Sequence, residues 1–196
     1  MKRLFVLAVL GIGVARAIDE EPPFHLQPID EGFMPPEVVR AAQDTINQPL
    51  AERMEAISRP FLGKPYVIDG HGEGTGVDVD PPARYDAFDC VTFLEEVLAL
   101  ALAPDPMSAP AFRQALRYKD GAPSFANRNH FWLQQWIPNN IDAGFLKDIT
   151  AELGESTVIT KQVTTATWQN WWGTQGFQLE PEHFPTGQFS LPVLTL

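Results

Sequence analysis

Asp89-Cys90-Val91-Thr92-Phe93-Leu94-Glu95-Glu96-Val97-Leu98-Ala99-Leu100 is the stretch from which the rest of this 196-residue chain is best read. Leu94, Val97, Leu98 and Ala101 recur at helical spacing, and Asp89 is a capping-type residue ahead of them. The pattern predicts a helix whose first turn holds Cys90, the only cysteine. Free backbone N–H groups and the positive end of the helix dipole converge there, which favours thiolate over thiol. Asp89 works slightly the other way, since a neighbouring carboxylate raises a thiol pKa. Glu95 and Glu96 are expected on the solvated side of this helix.

Upstream, Met1-Lys2-Arg3 precedes an uncharged run at 4–14 that ends in Ala15-Arg16-Ala17. This is the charged, apolar and small-residue layout of a secretory signal peptide, with a cut near Ala17 and a mature start near Ile18. The run is short for a bilayer span, so the expected product is soluble, without stable membrane insertion, and periplasmic or secreted. A retained N-terminal anchor is the alternative. Losing Lys2, Arg3 and Arg16 moves the formal charge from -11 to -14, which makes nucleic acid an unfavourable partner. A single cysteine in an exported chain has no internal disulfide partner and stands out as a candidate reactive thiol.

The expected organisation is a signal peptide at 1–17, an extended Pro- and acid-rich arm at 18–35, and one domain at 36–196. Within that domain, helices are expected from Pro36 through Gln48, from Pro49 through Ile57, and over 111–118. The segment before Cys90 reads as a long loop bending toward the helix start, and its glycine-rich part, 70–76, with four glycines and His71 ahead of Asp78 and Asp80, reads as a flexible lid or rim. The β-branched run from Ser156 to Thr167 reads as a strand. Leu191-Pro192-Val193-Leu194-Thr195-Leu196 reads as another strand or its approach, and a domain ending on it suggests a chain cut short.

A thiol nucleophile needs a base and a group that orients the base. The chain has four histidines: His25 in the arm, His71 in the glycine loop, His130 between aromatic residues, and His183 in a Pro-bounded tail. His130 is the best placed by context, with Asn140 or Asn139 as its orienting partner. A buried structural Cys90 beside a hydrogen-bonded His130 remains open on residue pattern alone. No two histidines fall at i, i+3 or i+4 and no His-Glu-x-x-His occurs, so neither a metal nor another cofactor is expected. Trp132 and Trp136 read either as core packing or as the wall of a groove that stacks a sugar face.

Ordered blocks along the chain resemble a known family. They are Phe61-Leu62-Gly63-Lys64-Pro65-Tyr66, Phe88-Asp89-Cys90-Val91-Thr92-Phe93-Leu94-Glu95, Leu116-Arg117-Tyr118-Lys119-Asp120-Gly121, Asn127-Arg128-Asn129-His130-Phe131, and Trp136-Ile137-Pro138-Asn139-Asn140 through Gly144, Asp148 and Thr150. They are similar to the DUF1460 proteins, N-acetylmuramoyl-L-alanine amidase-like members of the papain-like NlpC/P60 superfamily. The resemblance implies an α+β, papain-like NlpC/P60-type domain with helices packed on an antiparallel sheet. It implies an exported cysteine hydrolase acting on peptidoglycan fragments (muropeptides) at the bond between the muramic lactyl group and L-alanine. Cys90 matches the nucleophile, and helix-start N–H groups would hold the oxyanion. The expected site is Cys90, His130 and Asn140 for catalysis, with Tyr66, Asp89, Arg128 and Trp132 binding substrate. Arg128 would meet a substrate carboxylate, a surface ion pair being its commoner fate. The family pattern continues into a His-Val-Gly block that supplies the superfamily's usual histidine, and no such block occurs before Leu196. The domain is therefore expected to be incomplete at its C-terminus. A non-catalytic relative that binds muropeptides and an NlpC/P60 endopeptidase are the other readings; the oligomeric state stays open.

Overall fold

A computed structural model describes residues 34–175 and 186–194. The expected signal peptide at 1–17, nearly all of the arm at 18–35, His25, His183 and the last two residues lie outside the described residues. The described part is mixed α and β, with helices and one small antiparallel sheet. It gathers into two compact units, one ending at Arg128 and the other starting at Asn129.

The first unit is helical. Helix α1, Pro36–Asp44, has proline in its first turn, where an N–H would lack a partner anyway, and buries Val38 and Ala42 one turn apart. Helix α2, Leu50–Ser58, follows Pro49 and buries Arg53 and Ile57 at the same spacing. Arg53 is buried for a reason. Its Nη2 donates to the carbonyls of Leu100 and Ala103, at 3.2 and 2.9 Å, and so satisfies the C-terminal end of the next helix. That helix, α3, is Cys90–Leu102.

Helix α3 is buried almost all round from Thr92 to Ala101, and Glu95 and Glu96 are only 2% and 1% exposed. The expectation that this pair faces water is therefore overturned. Helix α4, Ala109–Arg117, packs on α3 and presents Arg113 and Arg117 one turn apart. Arg113 takes both carboxylate oxygens of Glu96, and Arg117 Nε lies 2.7 Å from Glu95. Buried charges need such pairing, because desolvation would otherwise cost several kcal/mol per ion, on the order of the whole fold's stability.

The root of the 70–82 segment is packed, which corrects its reading as a flexible lid. It folds back on itself through Gly72 N–H to Pro81 O, Glu73 N–H to Asp78 O and Gly74 N–H to Asp80 O, at 2.8 to 3.1 Å. Arg117 Nη1 donates to Pro82 O at 2.6 Å. Arg128 Nη1 donates to His71 O at 2.6 Å and Nη2 to Asp78 at 2.7 Å, while Tyr118 donates to Glu73 at 3.0 Å. A Cβ at Gly72 would stand 2.3 Å from Asp78 Oδ1, so only glycine fits this close approach.

In the second unit, a π-helical turn, Trp132–Trp136, leads into α5, Ile137–Asp142, followed by the short α6, Thr150–Leu153. Strand β1, Ser156–Val163, pairs antiparallel with β2, Gly187–Leu194, in the register Ser156 to Leu194 and Val163 to Gly187. The expected terminal strand thus exists. The strand expected to run to Thr167 stops at Val163, because Thr164 and Thr167 exchange side-chain and backbone hydrogen bonds and begin α7, Thr165–Gln175. Trp168, fully buried in the first turn of α7, anchors that change of direction.

Candidate active site

Helix α3 opens with a reciprocal cap. Asp89 Oδ1 accepts from the N–H groups of Val91 and Thr92 at 2.9 and 2.8 Å, and Thr92 Oγ1 accepts from Asp89 N–H at 3.0 Å. The Asp89 carboxylate is therefore turned onto its own helix, with Oδ1 in a capping position. Cys90, directly after it, is exposed. A buried Cys90 is ruled out by that exposure.

Tyr66 reaches this thiol by a backbone route. Pro65, Tyr66 and Val67 run parallel to Phe88, with Val67 N–H to Phe88 O at 3.0 Å and Phe88 N–H to Pro65 O at 3.1 Å. Underneath, Phe61 packs on Phe88 with ring centroids 4.9 Å apart and on Phe93 at 6.2 Å. The strip is thereby held on the N-terminal end of α3. The Tyr66 hydroxyl stands beside Cys90. Charge on Cys90, with some desolvation and Asp89 behind it, raises the Tyr66 pKa, so the phenol stays a proton donor.

Of the other expected residues, Arg128 forms an ion pair, but a buried one rather than one on the surface. Its Nη atoms hold Asp78 and the His71 carbonyl, with Glu73 at 3.5 Å from Nε. His71 is buried, and desolvation, followed by the charges of Arg117 and Arg113, lowers its pKa to about 3. It is neutral at ordinary pH and far too weak a base for a thiol.

His130, Trp132 and Asn140 lie in the second unit. His130 is half-buried and meets Trp168 and Trp171 edge-on, at centroid distances of 5.3 and 5.1 Å. Trp132 stacks on the fully buried Trp136 at 4.4 Å and 10°, an approach set by the π-helical turn. Asn140 is buried and its Nδ2 donates to Trp136 O at 2.7 Å; Asn139 Nδ2 donates to Asn129 Oδ1 at 2.6 Å. The structure thus brings Tyr66, Asp89 and Cys90 together in one unit.

Residues 56–176 match the N-acetylmuramoyl-L-alanine amidase-like family, a span that carries Tyr66, Cys90, His130 and Asn140. This chain belongs to that family. Within the amidase-like family, a Legionella pneumophila protein assigned to DUF1460 shares the fold at a TM-score of 0.69 and 27% identity, over 79% of this chain and 60% of its own. Two N-acetylmuramoyl-L-alanine amidases from Bacteroides uniformis align at 25% and 21% identity, with TM-scores of 0.44 and 0.48. They cover 64% and 69% of this chain and 48% and 62% of theirs. No curated protein matches. The amidase-like chain thus spans three fifths of the Legionella protein's length. Among the described residues, no helix is long and apolar enough to cross a membrane.

Sequence reasoning missed the cap's consequence for oxyanion binding. The N–H groups of Val91 and Thr92 already serve Asp89, so they are not the donors for a developing oxyanion. The cap leaves the Cys90 N–H out, and the Tyr66 hydroxyl lies beside that residue. The signal for this was present in Lys64-Pro65-Tyr66, but only the pairing with Phe88 gives it meaning.

Proposed function

We propose that this chain is an exported cysteine amidase of the papain-like NlpC/P60 type. Its substrate is a peptidoglycan fragment, and the bond cut joins the lactyl carbonyl of N-acetylmuramic acid to the amine of L-alanine. Membership of the amidase-like family supports the substrate class, and the N-terminal layout supports export. The observation that carries the reading is an exposed Cys90 at a helix start with the Tyr66 hydroxyl beside it.

The chemistry follows from those groups. The Cys90 thiolate adds to the lactyl carbonyl, and the resulting oxyanion accepts from the Cys90 N–H and the Tyr66 hydroxyl. The C–N bond breaks as an imidazolium protonates the L-alanine nitrogen, leaving a thioester on Cys90. Water, deprotonated by the same imidazole, hydrolyses the thioester to the free carboxylate and thiol. We assign the imidazole to His130 and its orientation to Asn140. Among the described residues the other histidine is His71, which is buried and held neutral. Trp132, backed by Trp136, is assigned to stack on the sugar ring.

Mass analysis of muropeptides incubated with the protein tests this. The expected products are a fragment ending in a lactyl carboxylate and a peptide beginning with L-alanine. Cleavage between two peptide residues would replace the amidase reading with an endopeptidase, and intact muropeptides would remove both.

A further inference from the structure

Tyr66 has little packing to hold it. It is 66% exposed and Ile68, two residues on, is 69% exposed, so the hydroxyl's place on Cys90 depends on how the backbone of the 65–69 strip is tethered. Two tethers are the Val67 and Phe88 hydrogen bonds already described. The third lies at the far end, where the Asp69 N–H points at Asp89 Oδ2, 3.4 Å away, the carboxylate oxygen that the helix cap leaves over. Asp69 reaches it in a left-handed conformation, φ 53°, a region that Asp and Asn tolerate but β-branched residues do not. Directly afterwards the chain doubles back, so that a Cβ on Gly70 would lie 3.1 Å from Val67 Cγ1. The strip is therefore closed at one end by Phe88 and at the other by the turn at Asp69.

We propose that Asp69 is a positioning residue for the Tyr66 and Cys90 pair, its left-handed turn locking the strip onto the Asp89 cap so that the phenol stays on the thiol. This rests on the reading of that pair as the reacting groups. The Asp69 side chain is half-buried near Asp78, Asp80 and Asp89 with Arg128 as countercharge, and burial raises its pKa. That is a costly place for a carboxylate whose backbone did no work, and glycine or asparagine would make the same turn without the charge.

The test uses the single cysteine as its own reporter, by following the pH dependence of Cys90 carbamidomethylation with iodoacetamide alongside amide hydrolysis. Asp69→Asn and Asp69→Gly keep the turn and are expected within about twofold of the parent in both assays. Asp69→Val opposes the turn and is expected to lower kcat about tenfold or more, with KM little changed, and to shift the alkylation profile. Asp69→Ala, gentler on folding, shifts both in the same direction by less. In a Tyr66→Phe background, Asp69→Val and Asp69→Ala should have no further effect on the alkylation profile, because the turn acts through the phenol. A parent-like Asp69→Val, a loss in Asp69→Gly equal to that in Asp69→Val, or an undiminished effect without the phenol would overturn the proposal. If wild type hydrolyses no muropeptide, the amidase reading fails while the alkylation profiles still decide the role of Asp69.

Discussion

The hydroxyl of Tyr66 lies beside Cys90, on a strip held by the pairing of Tyr66 with Phe88, although the two residues are far apart in the chain and Tyr66 is largely exposed. In the proposed reaction a phenol so placed donates to the oxyanion that forms beside the Cys90 N–H. Tyr66→Phe removes that donor and little else. Loss of one oxyanion donor typically costs about 10²-fold or more in kcat, and that is the expected effect, with KM changed far less. Steady-state kinetics on a muropeptide check it. Because charge on Cys90 raises the Tyr66 pKa, the hydroxyl remains protonated above its ordinary titration range, so the activity lost in Tyr66→Phe is lost at every pH of the active plateau.

Asp89 caps the start of α3. Asp89→Ala frees the N–H groups of Val91 and Thr92 and is expected to cost about 1 kcal/mol of unfolding free energy, while Asp89→Asn keeps most of the cap. Urea titration of both variants reads this directly. An Asp89→Ala protein as stable as its parent would show that the cap contributes nothing.

What could be read from residues alone is what local rules govern. Asp89 before an apolar periodic run predicts the cap and the start of α3 at Cys90, and both are found. The β-branched run at Ser156 predicts β1, and the chain's last apolar run forms β2. What failed depended on distant partners. Glu95 and Glu96 look solvated until Arg113 and Arg117, one turn apart on the next helix, fold over them. The glycine loop looks loose because the arginines that clamp it, Arg117 and Arg128, lie far downstream. The strand overshot because a β-branched run does not reveal that Thr164 and Thr167 cap a helix. Tyr66 was legible as a family residue, but its contact with the thiol depends on a parallel pairing with Phe88 that no local pattern encodes.

The Arg113 and Glu96 pair, each 2% exposed, is a point of high sensitivity in the first unit. Glu96→Ala takes the carboxylate from a buried guanidinium and is expected to destabilise by about 3–5 kcal/mol. Replacing both partners at once with Glu96→Leu and Arg113→Met is expected to recover most of that loss, since a packed apolar pair has no desolvation to offset. Denaturant melts of the single and double variants distinguish a stabilising pair from one that is merely costly to break.

His71 makes stability depend on acid. Its folded pKa, lowered by burial to about 3, lies below its unfolded value near 6.5. Between those values the unfolded chain binds a proton that the folded one refuses, so stability falls as pH drops through that window, by on the order of a few kcal/mol. Glu73 and Asp69, whose pKa values burial raises, contribute in the opposite direction, their share of stability being lost as pH rises through their folded values. His71→Gln cancels only the first effect. Its stability relative to wild type is expected to improve steadily as pH is lowered from 6.5, as measured by urea unfolding at a series of pH values.

The reading as a whole stands on Cys90 acting as a nucleophile. The measurement that tests this most directly is the rate of release of the L-alanine-led peptide from an N-acetylmuramoyl peptide by wild type and by Cys90→Ala under identical conditions. The account predicts turnover by the wild type and none above background by the variant, whose exposed substitution leaves the fold intact. Equal rates from the two proteins would contradict it.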